Sequence, residues 1–289
     1  MNPDSDKPIV ALIYDFDKTL STKDMQEFAF IPSIKMEVKE FWDKSNNLAK
    51  NKMMDKNLAY MYTMLTESER SGACLKREEL KSMGKEVEFY TGVTEWFTNI
   101  DELAKENEVI VEHYIISSGL KEMIEGTPIF NYFKEVFACE YMYDENGNAV
   151  WPKNVVNYTT KTQFLFRINK GALDLSDDST VNKFENHRDR RIPFEHFIYF
   201  GDGDTDIPCM KLVHMNGGHS IAIYANDKMK EKAKEMYTDH RATFFEYADY
   251  SKDGEIFKIV SDVMKKICAE DRLYQRSEGY GLERRDISK

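Results

Sequence analysis

Two acidic clusters follow short apolar segments of this sequence. Asp15 and Asp17 come directly after the first apolar run, and Asp202 and Asp206 lie in a Gly-Asp-Gly-Asp-Thr-Asp stretch that follows another. Side chains two residues apart in extended chain point to the same side, so Asp15 and Asp17 are expected to lie together. Carboxylates gathered on one side need a cation to offset their repulsion, and hard oxygen ligands suit Mg²⁺. The two clusters could therefore converge on one metal ion.

Groups that suit an anionic oxygen occur between these clusters. Ser117, Ser118 and Gly119 follow a further apolar run, where hydroxyl and free backbone N–H groups would face the same edge of a sheet. Lys161 precedes a stretch with helical spacing, and its ammonium could neutralise a phosphate, although Lys153 and Lys170 are alternatives. A strand end or helix cap for the serines and a solvated surface for the lysine are the competing structural interpretations.

The apolar runs and the segments between them indicate the elements that would position these groups. Runs with strand character alternate with segments of helical spacing, which favours an α/β fold with a Rossmann-like parallel sheet covered by helices. The runs are 9–14, 114–116, 197–200 and 221–224, and the clearest helical segments are 94–105 and 229–236.

Two segments depart from this alternation. Residues 22–90 contain helical spacing and no convincing strand, which predicts a helical insertion after the first strand. Alternating apolar residues over 137–143, followed by Asn146-Gly147 and a second run at 149–151, predict a β-hairpin.

Composition limits the classes of function. The 289 residues contain 40 Lys plus Arg and 51 Asp plus Glu, a net charge of −11, which disfavours nucleic acid and anionic lipid as partners. No apolar stretch approaches the roughly 18 residues of a membrane span, and the N-terminal run has the wrong flanks for a signal peptide. The four cysteines, Cys74, Cys139, Cys209 and Cys268, are scattered and suggest reduced thiols. We therefore expect a cytoplasmic protein, with its oligomeric state open.

The acidic clusters, the serines and the lysine, in this order, resemble the haloacid dehalogenase (HAD) superfamily, specifically its phosphoserine-phosphatase-like members. The resemblance spans residues 9 to 224. Asp15-Phe16-Asp17-Lys18-Thr19 fits the D-x-D-x-[TV] signature of the first motif at each specified position. The later motifs are matched by Ser117, by Lys161, and by Asp202 with Asp206.

The resemblance implies roles for the acidic residues. Asp15 would be the nucleophile and Asp17 the general acid and base. Magnesium would be held by Asp15, Asp202 and the backbone carbonyl of Asp17, with Asp206 acting through water or as a supporting partner. A carboxylate attacks a phosphate monoester only where charge repulsion is offset, and attack by Asp15 would give an aspartyl-phosphate. Asp17 would protonate the leaving alkoxide and then activate water.

The resemblance also implies binding roles. Ser117, Ser118, Gly119 and Lys161 would bind the phosphate. Asp24 stands nine positions after the nucleophile, where phosphoserine phosphatases carry an acidic residue that reads the substrate amine; an N-terminal helix cap or a partner of the helix dipole is the alternative. Ser118 stands where those enzymes usually have glycine, which weakens phosphoserine itself as the substrate.

The residues as a whole predict a Mg²⁺-dependent phosphatase acting on a small phosphorylated metabolite. Residues 1–21 and 91–289 would form the core domain, and 22–90 a helical cap that closes over the site. A phosphotransferase with an acceptor other than water and a non-catalytic phosphate-binding protein are the alternatives. A dehalogenase is disfavoured because its members lack the second aspartate of the first motif, whereas Asp17 is present.

Overall fold

A seven-stranded sheet forms the centre of the protein in the computed structural model, which describes residues 7–72, 75–185 and 190–286. The strand order is β4-β3-β2-β1-β5-β6-β7, and every pairing is parallel except that of β3 with β4. The α/β prediction is therefore confirmed. The strands are β1 (Ile9–Tyr14), β2 (Ile110–Leu120), β3 (Phe133–Tyr143), β4 (Ala149–Asn154), β5 (Phe197–Gly201), β6 (His219–Tyr224) and β7 (Phe244–Tyr247).

Helices connect the parallel strands, as parallel pairing requires a crossover. Their amphipathic sides cover the sheet, and the central strands β1 and β5 are almost wholly buried as a result. The α-helices are α1 (Phe30–Ser33), α2 (Val38–Lys52), α3 (Lys56–Arg70), α4 (Arg77–Met83), α5 (Val93–Glu106), α6 (Lys121–Glu125), α7 (Lys161–Lys170), α8 (Asp178–Asn182), α9 (Ile207–Met215), α10 (Asp227–Thr238) and α11 (Glu255–Asp286).

The strand order places a topological switch point at β1. From β1 the chain builds one side of the sheet with β2 and β3, and later returns to the other side of β1 with β5, β6 and β7. The connection after β1 therefore leads toward β2, and the connection after the adjacent strand β5 leads the other way, toward β6. The crevice between these two connections is where α/β sheets bind ligands. The first acidic cluster follows β1, and the second follows the adjacent strand β5.

The insertion predicted for residues 22–90 is helical. It contains α1 to α4, with no strand among those of its residues that the structure describes. Buried side chains of these helices, such as Phe41, Met61 and Leu80, belong to one apolar cluster with the side chains of the sheet. The helical insertion is thus confirmed, whereas its bounds as a separate cap domain stay a prediction.

Two details of the sheet bear on the sequence predictions. The β-hairpin is confirmed, with β3 antiparallel to β4 and Gly147 in the left-handed conformation in the turn. The expectation that β2 ends before Ser117 is wrong, because the strand continues to Leu120. Its register with β3 is irregular between Ile116 and Leu120, so Ser117 to Gly119 depart from regular pairing although they lie within the strand.

The described part of the chain contains neither a disulfide nor a helix that could span a membrane. Cys139, Cys209 and Cys268 are buried and unpaired, and Cys74 lies outside the described residues. In the same part of the chain no helix has the length and apolarity needed to cross a membrane. The cytoplasmic location stays a prediction.

Three buried side chains, Trp96, Tyr14 and His113, form a chain of hydrogen bonds in the core. The Trp96 indole N–H donates to the Tyr14 hydroxyl (2.8 Å), which lies 3.0 Å from Nδ1 of His113. Burial lowers the pKa of His113 to about 3, so the imidazole is neutral in the folded protein near neutral pH. The folded state therefore excludes a proton that the unfolded chain takes up.

This exclusion predicts a pH dependence of stability. The unfolded histidine titrates near pH 6.5, so wild-type protein should lose up to about 1.4 kcal/mol per pH unit as the pH falls from there toward about 3. His113→Asn keeps an acceptor for Tyr14 but cannot titrate, so this component should be absent. Urea denaturation between about pH 4.5 and 8 measures the difference. The exposed His240→Asn is the matched control, and an identical pH profile for His113→Asn and wild type would contradict the assignment.

Candidate active site

Three carboxylates from two neighbouring strand ends meet at the switch point. The N–H of Asp15 donates to the carbonyl of Phe200 (2.8 Å), so the β1–β5 ladder continues into the first acidic residue. Asp15, Asp202 and Asp206 each present an oxygen within 4.8 Å of the others. Gly201 permits this approach, since a Cβ there would lie only 2.5 Å from Cγ of Asp206. The three groups can therefore contact one small cation.

Lys161 lies beneath this cluster with its side chain completely buried. Its Nζ is 3.1 Å from Oδ1 of Asp15 and donates to Oδ1 of Asp206 at 2.8 Å. Asp206 is held further by the Tyr199 hydroxyl (2.7 Å) and the Gly203 N–H (3.2 Å). Helix α7, which begins at Lys161, thus places its first side chain at the acidic cluster.

The two rival lysines lie elsewhere. Lys153 pairs with Glu140 at 2.8 Å on the hairpin. Lys170 stands at the other end of α7 and donates to the carbonyls of Val181 and Lys183. Neither ammonium contacts the acidic cluster, so the geometry favours Lys161 as the lysine of this site.

The electrostatics of the cluster fit a divalent cation. One ammonium cannot balance three carboxylates, which leaves two negative charges uncompensated when all are ionised. Burial, followed by the Asp206 carboxylate, raises the pKa of Asp15 to about 6, and burial with Asp206 and Asp15 raises the pKa of Asp202 well above its usual value. Oδ1 of Asp15 is buried, and the Lys161 ammonium that lies 3.1 Å from it is shared with Asp206. Buried carboxylate oxygens that one shared ammonium does not neutralise suit a hard cation.

Lys161 responds in the opposite direction. Burial alone would lower the pKa of its ammonium, but the carboxylates of Asp15 and Asp206 raise that pKa above the usual value instead. The lysine is therefore charged at any pH where the protein is folded. A buried charge of this kind is tolerated because it is paired on two sides.

Asp17 occupies a different environment from Asp15. Its Oδ1 accepts from the Met25 N–H (2.9 Å), and burial, followed by the charges of Asp24 and Asp15, raises its pKa well above the usual value. Gly119 lies against it, since a Cβ on that glycine would come within 2.9 Å of Oδ2 of Asp17. This environment favours the protonated form of the carboxyl, which is the form that a proton donor needs.

Ser117, Ser118 and Gly119 pass beside the acidic cluster in different orientations. Ser117 is buried, and its Oγ accepts from the Gly119 N–H at 3.0 Å. The Ser118 hydroxyl instead donates to the Val156 carbonyl at 2.9 Å. The Ser118 side chain is therefore occupied in joining β2 to the segment before α7. Phosphate binding by Ser117, Ser118 and Gly119 stays a prediction.

Asp24 stands at the start of a short 3₁₀ helix (Met25–Glu27) but makes no capping hydrogen bond through its side chain. Its Oδ2 accepts from Nζ of Lys18 at 2.5 Å. Lys18 itself has a positive φ of 59°. Asp24 therefore lies at the helix start without a side-chain capping bond, whereas its roles as a helix-dipole partner and in substrate binding stay predictions.

A cavity of about 260 Å³ lies between the helical insertion and the sheet edge. Tyr60 spans it on one side, where its hydroxyl donates to the Ser118 carbonyl at 2.8 Å. The sequence analysis did not identify most of these residues, because a polar or aromatic residue on a helix face looks the same whether it faces a cavity or solvent. The lining residues are Asp17, Asp24, Gln26, Trp42, Ser45, Asn46, Lys56, Asn57, Tyr60 and Ser118.

Tyr199 is a further residue that the sequence analysis missed. It lies in β5, where aromatic residues are ordinary, and the hydrogen bond to Asp206 appears only in the folded chain. The available signal was indirect. A buried aspartate in a glycine-rich turn needs more than one donor, and a hydroxyl on the preceding strand is a candidate.

Comparison with known proteins identifies a family and a relative that match most of the chain. Residues 10–250 match the family model described as Putative Phosphatase. An uncharacterized protein of Borreliella burgdorferi is 30% identical over 291 residues, which covers 90% of this chain and 97% of that protein.

Solved structures with a similar fold are less similar in sequence. A HAD family hydrolase from Salmonella enterica serovar Typhi superposes with a TM-score of 0.54 at 17% identity, covering 80% of this chain and 67% of that one. A phosphoserine phosphatase described as a phospho-aspartyl intermediate analogue gives a TM-score of 0.52 at 17% identity, covering 88% and 98%. These likenesses show a shared fold.

The acidic cluster predicts a specific response to metal. In wild-type protein, Mg²⁺ at about a hundredfold its Kd should stabilise the fold by about 2.7 kcal/mol relative to chelator. Asp202→Asn removes one of the repelling carboxylates, so its unfolding temperature in chelator should equal or exceed that of wild type, with the Mg²⁺ increment lost. Thermal denaturation with and without Mg²⁺ measures both quantities.

Asp204→Asn is the control, since Asp204 lies in the same turn but its side chain is 67% exposed and pairs with Lys232. It should keep the full Mg²⁺ increment. An equal increment in Asp202→Asn and wild type would remove Asp202 from the metal site.

Proposed function

This chain belongs to the Putative Phosphatase family. We propose that it is a phosphatase of the HAD superfamily that hydrolyses a small phosphomonoester in a Mg²⁺-dependent reaction through an aspartyl-phosphate intermediate. The observation that carries the proposal is the meeting of Asp15, Asp202 and Asp206 over the buried ammonium of Lys161. The family supports phosphatase chemistry, and the geometry supports the assignment of these residues.

Asp15, Asp202 and the Asp17 backbone carbonyl would hold the Mg²⁺ ion, with Asp206 supporting them. When bound, the ion would supply positive charge that offsets repulsion between a carboxylate nucleophile and a phosphate. Lys161 contributes a second positive charge, and Ser117 a hydroxyl donor, at the same edge of the sheet. Preorganised charges of this kind stabilise a phosphoryl transition state without reorganising during the reaction.

In the first half-reaction, a carboxylate oxygen of Asp15 forms a bond to phosphorus as the bond from phosphorus to the ester oxygen breaks. The leaving alkoxide takes the proton of Asp17, whose raised pKa keeps that proton available. In the second half-reaction, the Asp17 carboxylate takes a proton from water as the water oxygen bonds to phosphorus. The Asp15–phosphate bond breaks, which releases inorganic phosphate and restores both aspartates.

We propose further that residues 22–90 act as the cap of this site and that Asp24 contributes to substrate binding. The cavity between the helical insertion and the sheet supports the first assignment. The position of Asp24 on the lining of that cavity supports the second. A cap in this position would exclude water while the phosphoryl group is transferred.

Removal of the nucleophile tests the reaction. Asp15→Asn keeps the shape of the side chain but cannot form the acyl phosphate, so phosphate release from p-nitrophenyl phosphate should fall by about 10³-fold or more. Wild-type protein quenched with acid during turnover should carry labelled phosphate, and Asp15→Asn should carry none. Unchanged turnover in Asp15→Asn would remove this residue from the nucleophile's role. Product analysis with an added alcohol would detect transfer to an acceptor other than water.

Replacement of the buried lysine tests the phosphate site. Lys161→Ala should reduce turnover by about 10²-fold or more, because it removes a preorganised charge. It should also destabilise the fold, by about 3 to 5 kcal/mol, since it breaks a buried ion pair. Turnover is therefore measured well below the unfolding temperature of the variant. Lys153→Ala and Lys170→Ala are matched controls that should keep most of the activity, and a similar loss in either would contradict the assignment.

A further inference from the structure

The cavity beside Asp17 is lined by an amide whose oxygen accepts no hydrogen bond. Gln26 lines the cavity and is only 2% exposed, and its Oε1 is buried without a hydrogen bond. It lies in the 3₁₀ helix Met25–Glu27, whose first N–H donates to Oδ1 of Asp17. Gln26 therefore follows Met25 in sequence, and the Met25 N–H orients Asp17, the group assigned to protonate the leaving alkoxide.

Several neighbours of Gln26 on the cavity wall already have partners. The Trp42 indole donates to Glu27 (2.8 Å), the Asn57 amide to the Val156 carbonyl (2.7 Å) and the Tyr60 hydroxyl to the Ser118 carbonyl (2.8 Å). Asp24 is paired with Lys18. These contacts hold the wall in place, whereas Oε1 of Gln26, which belongs to the same wall, is buried and accepts no hydrogen bond.

We propose that Gln26 is a specificity-determining residue that accepts a hydrogen bond from a hydroxyl or ammonium group of the substrate's leaving group. The inference rests on the proposed function, because it places the ester oxygen at Asp17 and the phosphate at Asp15. The substrate class that follows is a small phosphomonoester with a hydrogen-bond donor close to the ester carbon.

A buried acceptor can discriminate between leaving groups because leaving it without a hydrogen bond costs free energy. A leaving group with a donor satisfies the buried oxygen, whereas an alkyl group of the same shape leaves it unpaired and dry. Sites that contain a buried polar group reject analogues lacking the complementary group more strongly than apolar pockets reject an extra methylene. The cavity of about 260 Å³ offers room for a small leaving group.

Three substrates of matched shape test the proposal. 2-Methylpropyl phosphate carries no donor, 2-hydroxypropyl phosphate carries a hydroxyl and 2-aminopropyl phosphate an ammonium in place of one methyl group. Wild-type kcat/KM should be about tenfold or more higher for at least one of the donor-bearing substrates than for 2-methylpropyl phosphate. The substrate with the higher kcat/KM identifies whether Gln26 accepts from a hydroxyl or from an ammonium group.

Substitutions then assign the preference to the residue. Gln26→Met keeps the length of the side chain without the acceptor, so the ratio of kcat/KM values should fall close to one. Gln26→Glu keeps an acceptor, so it should retain the preference and increase it for the ammonium. The exposed Gln163→Met is the control, and it should keep the wild-type ratio.

The outcomes separate this inference from the proposed function. A wild type without preference among the three substrates, or a preference that survives in Gln26→Met, would overturn the role of Gln26. If p-nitrophenyl phosphate is hydrolysed but none of the three is, the inference also fails while the phosphatase assignment stands. Absence of turnover with p-nitrophenyl phosphate as well would overturn the proposed function itself.

Discussion

The buried ammonium of Lys161 makes the rest of the site possible. Two of the acidic residues that meet at the switch point, Asp15 and Asp206, lie in the interior, where ionised carboxylates are costly unless they are paired and hydrogen-bonded. Lys161 contacts both, and Tyr199 supplies a further donor to Asp206. This support compensates the charge only in part. The remaining negative charge would attract a divalent cation, and that cation would offset the repulsion between the carboxylates and an anionic phosphate.

The topology of the sheet determines where this charge is concentrated. Because β1 is paired with β2 on one side and β5 on the other, residues that follow β1 and β5 emerge side by side. Ser117 in β2 approaches from the opposite flank, and α7 delivers its first residue from the side of the sheet. Groups separated by more than a hundred positions in sequence thereby share one crevice, which none of them could form alone.

Met25 connects the helical insertion to the chemistry of the site. Its N–H holds Asp17, its sulfur accepts from the Leu120 N–H at 3.1 Å, and its side chain fills the space beside Gly119. The position of the insertion and the orientation of the carboxyl assigned to proton transfer are thus physically coupled. A movement of the insertion that displaced Met25 would remove the hydrogen bond that orients Asp17 in the described structure.

Local sequence determined the elements and much of the chemistry of this protein. Apolar runs followed by Asp15, Asp17 and Asp202 encode strand ends with carboxylates, since hydrophobic periodicity and turn residues act over a few positions. Tertiary structure alone decided that β2 continues past Ser117 and that the Ser118 hydroxyl donates to the Val156 carbonyl. It also decided that Gln26 lines a cavity. Each of these depends on a partner distant in sequence, and no local pattern specifies which polar group a fold will leave unpaired.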